Sequence, residues 1–270
     1  MEDIASNKRS ERQVEFEFPQ GNDMLKRLQA IEFDMAVTIK DIFERNDIRY
    51  VIEYGSLLGA VRHGGFIPWD DDFDFVVWED DYEKASDALR RELPSDKFVL
   101  HDRYSDPNYI YTFSKVRHLH SVALEEGWTD NLKYKGISID LFQGRIERNN
   151  RFARRLFLSK SHTSSHYIKF RSNHSFIEML KVMANLGMFV CFWVLHYVWP
   201  KQLYFHKFPE FDQYFIPIDK YLPLSTIVFN GELFMAPQDP DYVLTDRYGN
   251  WRAFPATISF HLDFLRIDED

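Results

Sequence analysis

Between Tyr54 and Val77 the chain reads Tyr54-Gly55-Ser56-Leu57-Leu58-Gly59-Ala60-Val61-Arg62-His63-Gly64-Gly65-Phe66-Ile67-Pro68-Trp69-Asp70-Asp71-Asp72-Phe73-Asp74-Phe75-Val76-Val77, and this stretch most constrains the fold. From Asp72 to Val77, acid alternates with aromatic and a β-branched pair follows, which predicts a strand whose residues two apart share a face. Asp72 and Asp74 then point the same way, with Cα atoms roughly 6.6 Å apart at ~3.3 Å per residue. Two carboxylates so placed converge on a hard cation. Mg²⁺ suits them, because it takes one or two protein carboxylates and fills its shell from water and phosphate oxygens. A metal site of this kind points to phosphate chemistry.

Upstream, Tyr50–Tyr54 reads as a strand broken at Gly55, and Ser56 is the expected N-cap of a short helix over 56–62. A helix start offers free N–H groups and the positive dipole end to an anion, with Arg62 as a second contact. Gly64, Gly65 and Pro68 turn the chain back so that the acidic strand, 73–78, lies beside the first. A run of acids is usually a solvated turn. Such a turn needs neither alternation with Phe on a strand nor a preceding Gly-Ser helix start. Asp70 and Asp71 fall at the turn and are expected to support the site or the turn.

These residues resemble the signature of the LicD family, related to the fukutin group within the nucleotidyltransferase superfamily typified by DNA polymerase beta. That pattern is a Gly-Ser turn, then Asp-hydrophobic-Asp on a strand, then a third acid on a neighbouring strand. Gly55-Ser56 and Asp72-Phe73-Asp74 match it, and Asp140 in Gly136-Ile137-Ser138-Ile139-Asp140-Leu141-Phe142 is the best third acid. Asp81-Tyr82-Glu83-Lys84, and Tyr248-Gly249-Asn250-Trp251 with Pro255, also fit, so the likeness runs from about residue 24 to 255. The chain departs where Glu53 and Tyr54 replace the family's Asp and small residue, and where Gln143-Gly144-Arg145 replaces a Pro and an Asp. The three acids remain, and the donor's alcohol is left open.

The resemblance implies an α/β (α+β) fold with a nucleotidyltransferase-like mixed sheet, flanking helices and a helical C-terminal region. It implies a transferase moving a phospho-alcohol (phosphocholine, or glycerol or ribitol phosphate) from a CDP-linked donor to a hydroxyl of a cell-surface glycan, free or lipid-linked, with release of CMP. Asp72, Asp74 and Asp140 would be the catalytic metal ligands for two Mg²⁺ ions, or Mn²⁺ in their place. Gly55, Ser56, Arg62 and Lys115 would bind substrate, Lys115 by its likeness within Phe113-Ser114-Lys115-Val116-Arg117, with Arg117 weaker. A true nucleotidyltransferase releasing pyrophosphate is the alternative enzyme. A catalytically idle binding protein should have lost one of the acids, and none is lost.

A net charge of −9 argues against a protein that tracks nucleic acid, since such binding rests on Lys and Arg neutralising phosphates. With 45% hydrophobic residues in 270 the chain can bury a full core, and its one cysteine, Cys191, allows neither an internal disulfide nor a cysteine zinc site. Residues 1–20 alternate acids and bases without an apolar signal core and read as a mobile leader; 21–145 reads as the nucleotidyltransferase-like core, and 146–270 as a mainly helical region packed on it. The expected location is the cytoplasm, or peripherally the inner face of a membrane. Apolar positions Leu25, Leu28, Ile31, Met35, Ile39 and Ile42 predict a first helix capped by Asn22 or Asp23. A helix is expected over about 80–92, and strands at 97–101, 109–117, 121–125 and 137–142 in one mixed sheet.

From Arg145 to Arg171 eight basic residues meet one acid, Glu147, which predicts a cationic helix. Val182 to Trp199 then carries no charge; as a helix it is ~27 Å long and borders on a membrane span. A buried helix of a C-terminal subdomain is the simpler expectation, and an interfacial helix with Trp193, Tyr197 and Trp199 is the other. Trp69, Tyr54 and Tyr248 could box a quaternary ammonium, although 25 Phe, 14 Tyr and 6 Trp make aromatic neighbours common. His63, His118 and His120 are not expected at the metal site, where oxygen ligands suffice.

Overall fold

A computed structural model describes residues 17–18, 21–125, 131–149, 152–199, 202–208, 215–255 and 257–268. Most of the expected leader therefore lies outside the described residues. Phe18, however, is buried, and its ring meets Phe260 edge-on at 5.1 Å. Helix α1 (Asn22–Arg45) follows Gly21, whose φ of 88° makes it the N-cap instead of Asn22 or Asp23. Its apolar stripe is buried as the spacing predicts, and Glu32 and Lys40 are buried on the same helix.

Strand β1 (Tyr50–Ile52) leads into α2 (Tyr54–His63). The helix starts two residues earlier than the sequence suggests, because Glu53 is the N-cap and its carboxylate accepts from Tyr54 N–H. Ser56 lies inside the first turn. Gly64, at φ 72°, closes the helix in the left-handed region that glycine favours. Strand β2 (Phe73–Trp78) is buried at every position, which is why both of its faces carry aromatic or branched residues. A 3₁₀ turn (Glu79–Asp81) and α3 (Tyr82–Glu92) follow, then β3 (Phe98–His101), β4 (Ser114–His118), β5 (Ser121–Glu125) and β6 (Ser138–Asn149). The strand expected over 109–117 begins only at Ser114, because Tyr109 O–H donates to Phe113 C=O and holds the intervening residues in a loop.

The main sheet has the order β1-β2-β6-β4-β3. Its central pair, β2 and β6, is parallel, and the others are antiparallel. The fold is thus α+β with a mixed sheet, as expected. Strand β5 is a correction: it leaves this sheet and pairs with the C-terminal β11 (Leu262–Ile267). Strand β6 is longer than expected and runs through residue 145, so Arg145 and Arg148 lie on a strand. The cationic helix begins only at α4 (Ala153–Asn173). The reason is non-local: after α5 (Phe176–Val198), strand β7 (Gln202–Phe208) returns antiparallel to the far half of β6 and is joined by β8 (Phe215–Pro217).

Helices predominate after residue 145, but α6 (Ile218–Tyr221), the β9–β10 hairpin (Ser225–Phe229 and Glu232–Ala236) and α7 (Pro240–Tyr248) also pack on the sheet. Phe229 and Phe234 join Phe73 and Phe75 in the core, and Tyr221 O–H donates to Glu53 at 2.8 Å. Helix α5 is the second correction. Only 6% of its most apolar stretch is buried, so it is not the core helix that composition favoured.

Two measurements test the packing. Phe205 is fully buried and stacks on Tyr221 with centroids 3.8 Å apart, and its ring tip occupies the place a Cβ on Gly144 would take. Phe205→Ala should cost about 3–5 kcal/mol and Gly144→Ala about 1–3 kcal/mol in denaturant unfolding. The double variant should cost less than the sum, because the vacated ring space admits the new methyl. Buried His101 faces Asp106 at 2.9 Å, and burial lowers its pKa below the ordinary imidazole value despite that partner. The unfolded chain then takes up the proton first, so stability should fall as pH drops below about 6.5. His101→Gln should flatten that slope.

Candidate functional site

Register sets the positions of the acids. Asp74 on β2 and Asp140 on β6 are direct partners across the parallel pair, and Lys115 on β4 is the partner of Asp140 on its other side. Lys115 Nζ lies 3.0 Å from Asp140 Oδ1 and over the Tyr111 ring, 4.6 Å from its centroid. Ser56 Oγ accepts the Asp74 backbone N–H at 2.9 Å, tying the first turn of α2 to the acidic strand. Gly55 leaves room there for Asp70: a Cβ on it would come within 2.6 Å of an Asp70 carboxylate oxygen, and that side chain would have to shift. Asp72, Asp74, Asp140, Ser56, Gly55 and Lys115 are therefore gathered at one end of the central strands.

Arg62 is placed differently. Its guanidinium donates to the carbonyl of Trp251 at 3.0 Å and lies over the rings of Trp69 and Phe254, so it fastens the C-terminal loop to α2. Arg117 is buried, and its Nη1 donates to Gly136 C=O at 2.8 Å. The aromatic box divides in two: Tyr54 and Tyr248 share Arg247, whose guanidinium carbon is 3.9 Å from the Tyr54 centroid, while Trp69 meets His63 edge-on and Phe254 at a tilt. Tyr82, in the second family-like stretch, donates to Leu141 C=O and accepts from Ser114 N–H, both at 2.7 Å, and so clamps β6 to β4.

Sequence reasoning missed two site residues. Glu32 of α1 is 1% exposed, its Oε2 has no hydrogen-bond partner, and it lines an 80 Å³ cavity with Asp71, Asp72, Lys115, Asp140 and His261. Its place among the apolar positions of α1 was the available signal. His261 approaches from the C-terminal side: its Nδ1 is 3.0 Å from Asp71 and 3.5 Å from Asp72. No local motif marks it. Asp71 also accepts the backbone N–H groups of His261 and Leu262, so this acid anchors the start of β11.

Crowding governs the electrostatics. Burial raises Asp74 well above the carboxylate range, and Asp72, Asp140 and Asp70 add to the rise. Asp70 is raised likewise by burial, then by Asp72 and Asp71. Asp72 lies deep among protein groups although 34% of its side chain still meets solvent. Desolvation pushes it up to about 6, with Asp71 and Asp140 adding to the rise and His261 and Lys115 opposing it. Burial raises Glu32 as well, followed by the four aspartates Asp72, Asp71, Asp70 and Asp74. The hydrogen bond to Asp71 raises His261 to about 10, so its imidazole is cationic at neutral pH.

This donor set is of the chemical type a hard cation takes, without closing on one point. It is all oxygen, its members repel one another, and one buried oxygen lacks a partner. Among the described residues no three acidic, histidine or cysteine side chains close on a common point. Asp140 is turned to Lys115, and Asp72 to His261. The two protein cations balance part of the charge that a metal would otherwise neutralise.

The sequence model described as LicD/FKTN/FKRP, nucleotidyltransferase domain, matches residues 47–181, half of the chain. Lipopolysaccharide cholinephosphotransferase LicD of Haemophilus influenzae is 47% identical over 49 residues, 18% of each chain. Ribitol 5-phosphate transferase FKRP of Homo sapiens is 58% identical over 33 residues, 12% of this chain and 7% of that one. The Mus musculus protein of the same description matches with the same identity over the same length. The matches thus span less than a fifth of each of these curated relatives. With the family model covering half its length, the chain belongs to the LicD family.

Proposed function

We propose that the chain transfers a phospho-alcohol from a CDP-linked donor to a glycan hydroxyl and releases CMP. The pairing of Asp74 with Asp140 across the parallel strands, with Asp72 just before the first of them, carries this reading. Family membership supports it, as do relatives named for choline phosphate and ribitol phosphate transfer. The acceptor oxygen attacks the phosphorus that bears the alcohol. The bond from that phosphorus to the bridging oxygen breaks, and the electron pair leaves with CMP.

Asp72, Asp74 and Asp140 would hold Mg²⁺, with Glu32 and Asp70 close behind. Bound there, Mg²⁺ supplies charge neutralisation on the donor phosphates and activation of the attacking oxygen. Asp140, at the edge facing β4, is the group placed to take the hydroxyl proton, and Lys115 orients it. The first-turn N–H groups of α2, at Gly55 and Ser56, face the anionic end of the donor. Arg62 acts at one remove, by fixing the loop 251–253 against α2. The acceptor approaches along a groove of about 900 Å³ whose wall includes Tyr82, Tyr109, Tyr111, Phe113 and Asp102. Rings beside carboxylates suit a sugar's apolar face and hydroxyls. Tyr111 brings this groove to Lys115, and so to Asp140.

Thermal unfolding tests the ion site apart from turnover. Without divalent cation, Asp74→Asn should raise the Tm, because it removes one of the crowded buried charges. Added Mg²⁺ should raise the Tm of the natural chain and leave that of the variant unchanged. No Mg²⁺ response in either protein would remove the proposed ligand roles.

Product analysis tests the reaction. With Mg²⁺, a glycan acceptor and CDP-choline, CDP-glycerol or CDP-ribitol, one donor should yield CMP, and Asp74→Asn should slow that release by about a hundredfold or more. Release of the free phospho-alcohol with CMP joined to the acceptor, pyrophosphate release when CTP replaces the CDP-linked donor, or undiminished turnover by the variant would overturn the assignment.

A further inference from the structure

Helices α4 and α5 form an antiparallel hairpin inserted between β6 and β7. They touch along their whole length: the rings of Phe152 and Trp199 meet at 5.4 Å, Ser159 Oγ donates to Asn185 C=O at 3.1 Å, and His166 Nδ1 contacts Glu178 at 2.7 Å. Asn185, buried, marks the face of α5 that meets α4. At 3.6 residues per turn the opposite face carries Phe176, Leu180, Met183, Val190, Val194 and Val198. All six are between 45% and 66% exposed. Trp193 and Tyr197, stacked with centroids 6.3 Å apart, stand beside that stripe.

Helix α4 has the opposite character. It contains no acid, whereas the chain as a whole has a net charge of −9. Lys160, Lys169 and Arg171 are exposed, and none pairs with an acid among the described residues. Taking the contact at Ser159 as the inner face, Lys160 and Arg171 fall on one flank of α4 and Lys169 on the other. Glu178, the one acid of α5, is already held by His166 and Lys181.

We propose that this hairpin docks the protein on the surface of an anionic lipid bilayer, with α5 lying in the membrane plane and α4 above it. An interfacial helix sinks its apolar face roughly 5–10 Å into the headgroup boundary, and packed helix axes lie about 8–10 Å apart. Helix α4 then rides at the level of the phosphates, where Lys160, Arg171 and Lys169 reach them from both sides. Charge selects this occupant: the acidic remainder of the chain is repelled by an anionic surface, and the cationic hairpin is drawn to it. Contact along the full length argues against a span, since α5 could cross only by carrying the cations of α4 into hydrocarbon. The inference does not depend on the reaction proposed above.

Sedimentation with vesicles tests it. The whole chain should bind vesicles of equal parts phosphatidylcholine and phosphatidylglycerol at low salt, lose binding as salt rises, and ignore phosphatidylcholine alone. Met183→Glu/Val194→Glu and Lys160→Glu/Lys169→Glu should each weaken binding by about tenfold or more, with circular dichroism unchanged. Lipids brominated near the headgroup should quench the natural chain more than the Trp193→Phe variant. Equal binding by both double variants, or no binding at low salt, would overturn the proposal. So would vesicle association that survives an alkaline carbonate wash, which indicates a span. Self-association abolished by Met183→Glu/Val194→Glu without vesicle binding would assign the apolar stripe to a second copy and overturn it too.

Discussion

The parallel pairing of β2 with β6 is the contact on which the rest of the molecule depends. It aligns Asp74 with Asp140, and because β6 also pairs antiparallel with β4, it brings Lys115 to the other side of the same acid. A slip of one residue would turn every side chain of β2 to the opposite face. The aromatic set at Phe73 and Phe75, locked into Phe229 and Phe234, opposes such a slip. The apolar face of the strand thus positions the acidic one.

Around that pair the protein concentrates negative charge in a place that burial makes unfavourable. Asp70, Asp74 and Glu32 are all raised well above the usual carboxylate range, by burial first and then by neighbouring aspartates, Asp72 foremost. Lys115 and His261 relieve part of the crowding, and Asp71 is satisfied by two backbone N–H groups and by His261. Stability is given up locally and recovered in the aromatic core, the usual balance at a functional site. The closing contacts come from the C-terminal third: His261 on Asp71, Tyr221 on Glu53, and the Trp251 and Ala253 carbonyls on Arg62. The C-terminal third thus closes the site.

The hairpin of α4 and α5 is built on another principle. It interrupts a β-meander, since β6 and β7 pair directly once the helices are passed. Its apolar residues face outward instead of joining the core. The main sheet therefore carries two separate demands, a charged site at one end of β6 and an exposed helical arm beyond the other end.

What the sequence determined alone was local and periodic. The alternation at Asp72–Val77 specified the strand, which begins at Phe73 and leaves Asp72 just before it, and the apolar spacing from Leu25 to Ile42 specified α1. Resemblance then added Asp140 as the third acid. Tertiary structure decided what depends on chain segments far apart. It drew β5 to β11, lengthened β6 against β7, left α5 exposed, turned Arg62 to the C-terminal loop, and carried Glu32 and His261 into the site. The physical reason is that periodicity records which face of an element is apolar, whereas the partner that covers that face, or leaves it bare, is chosen by contacts between distant residues such as His261 and Asp71, 190 positions apart.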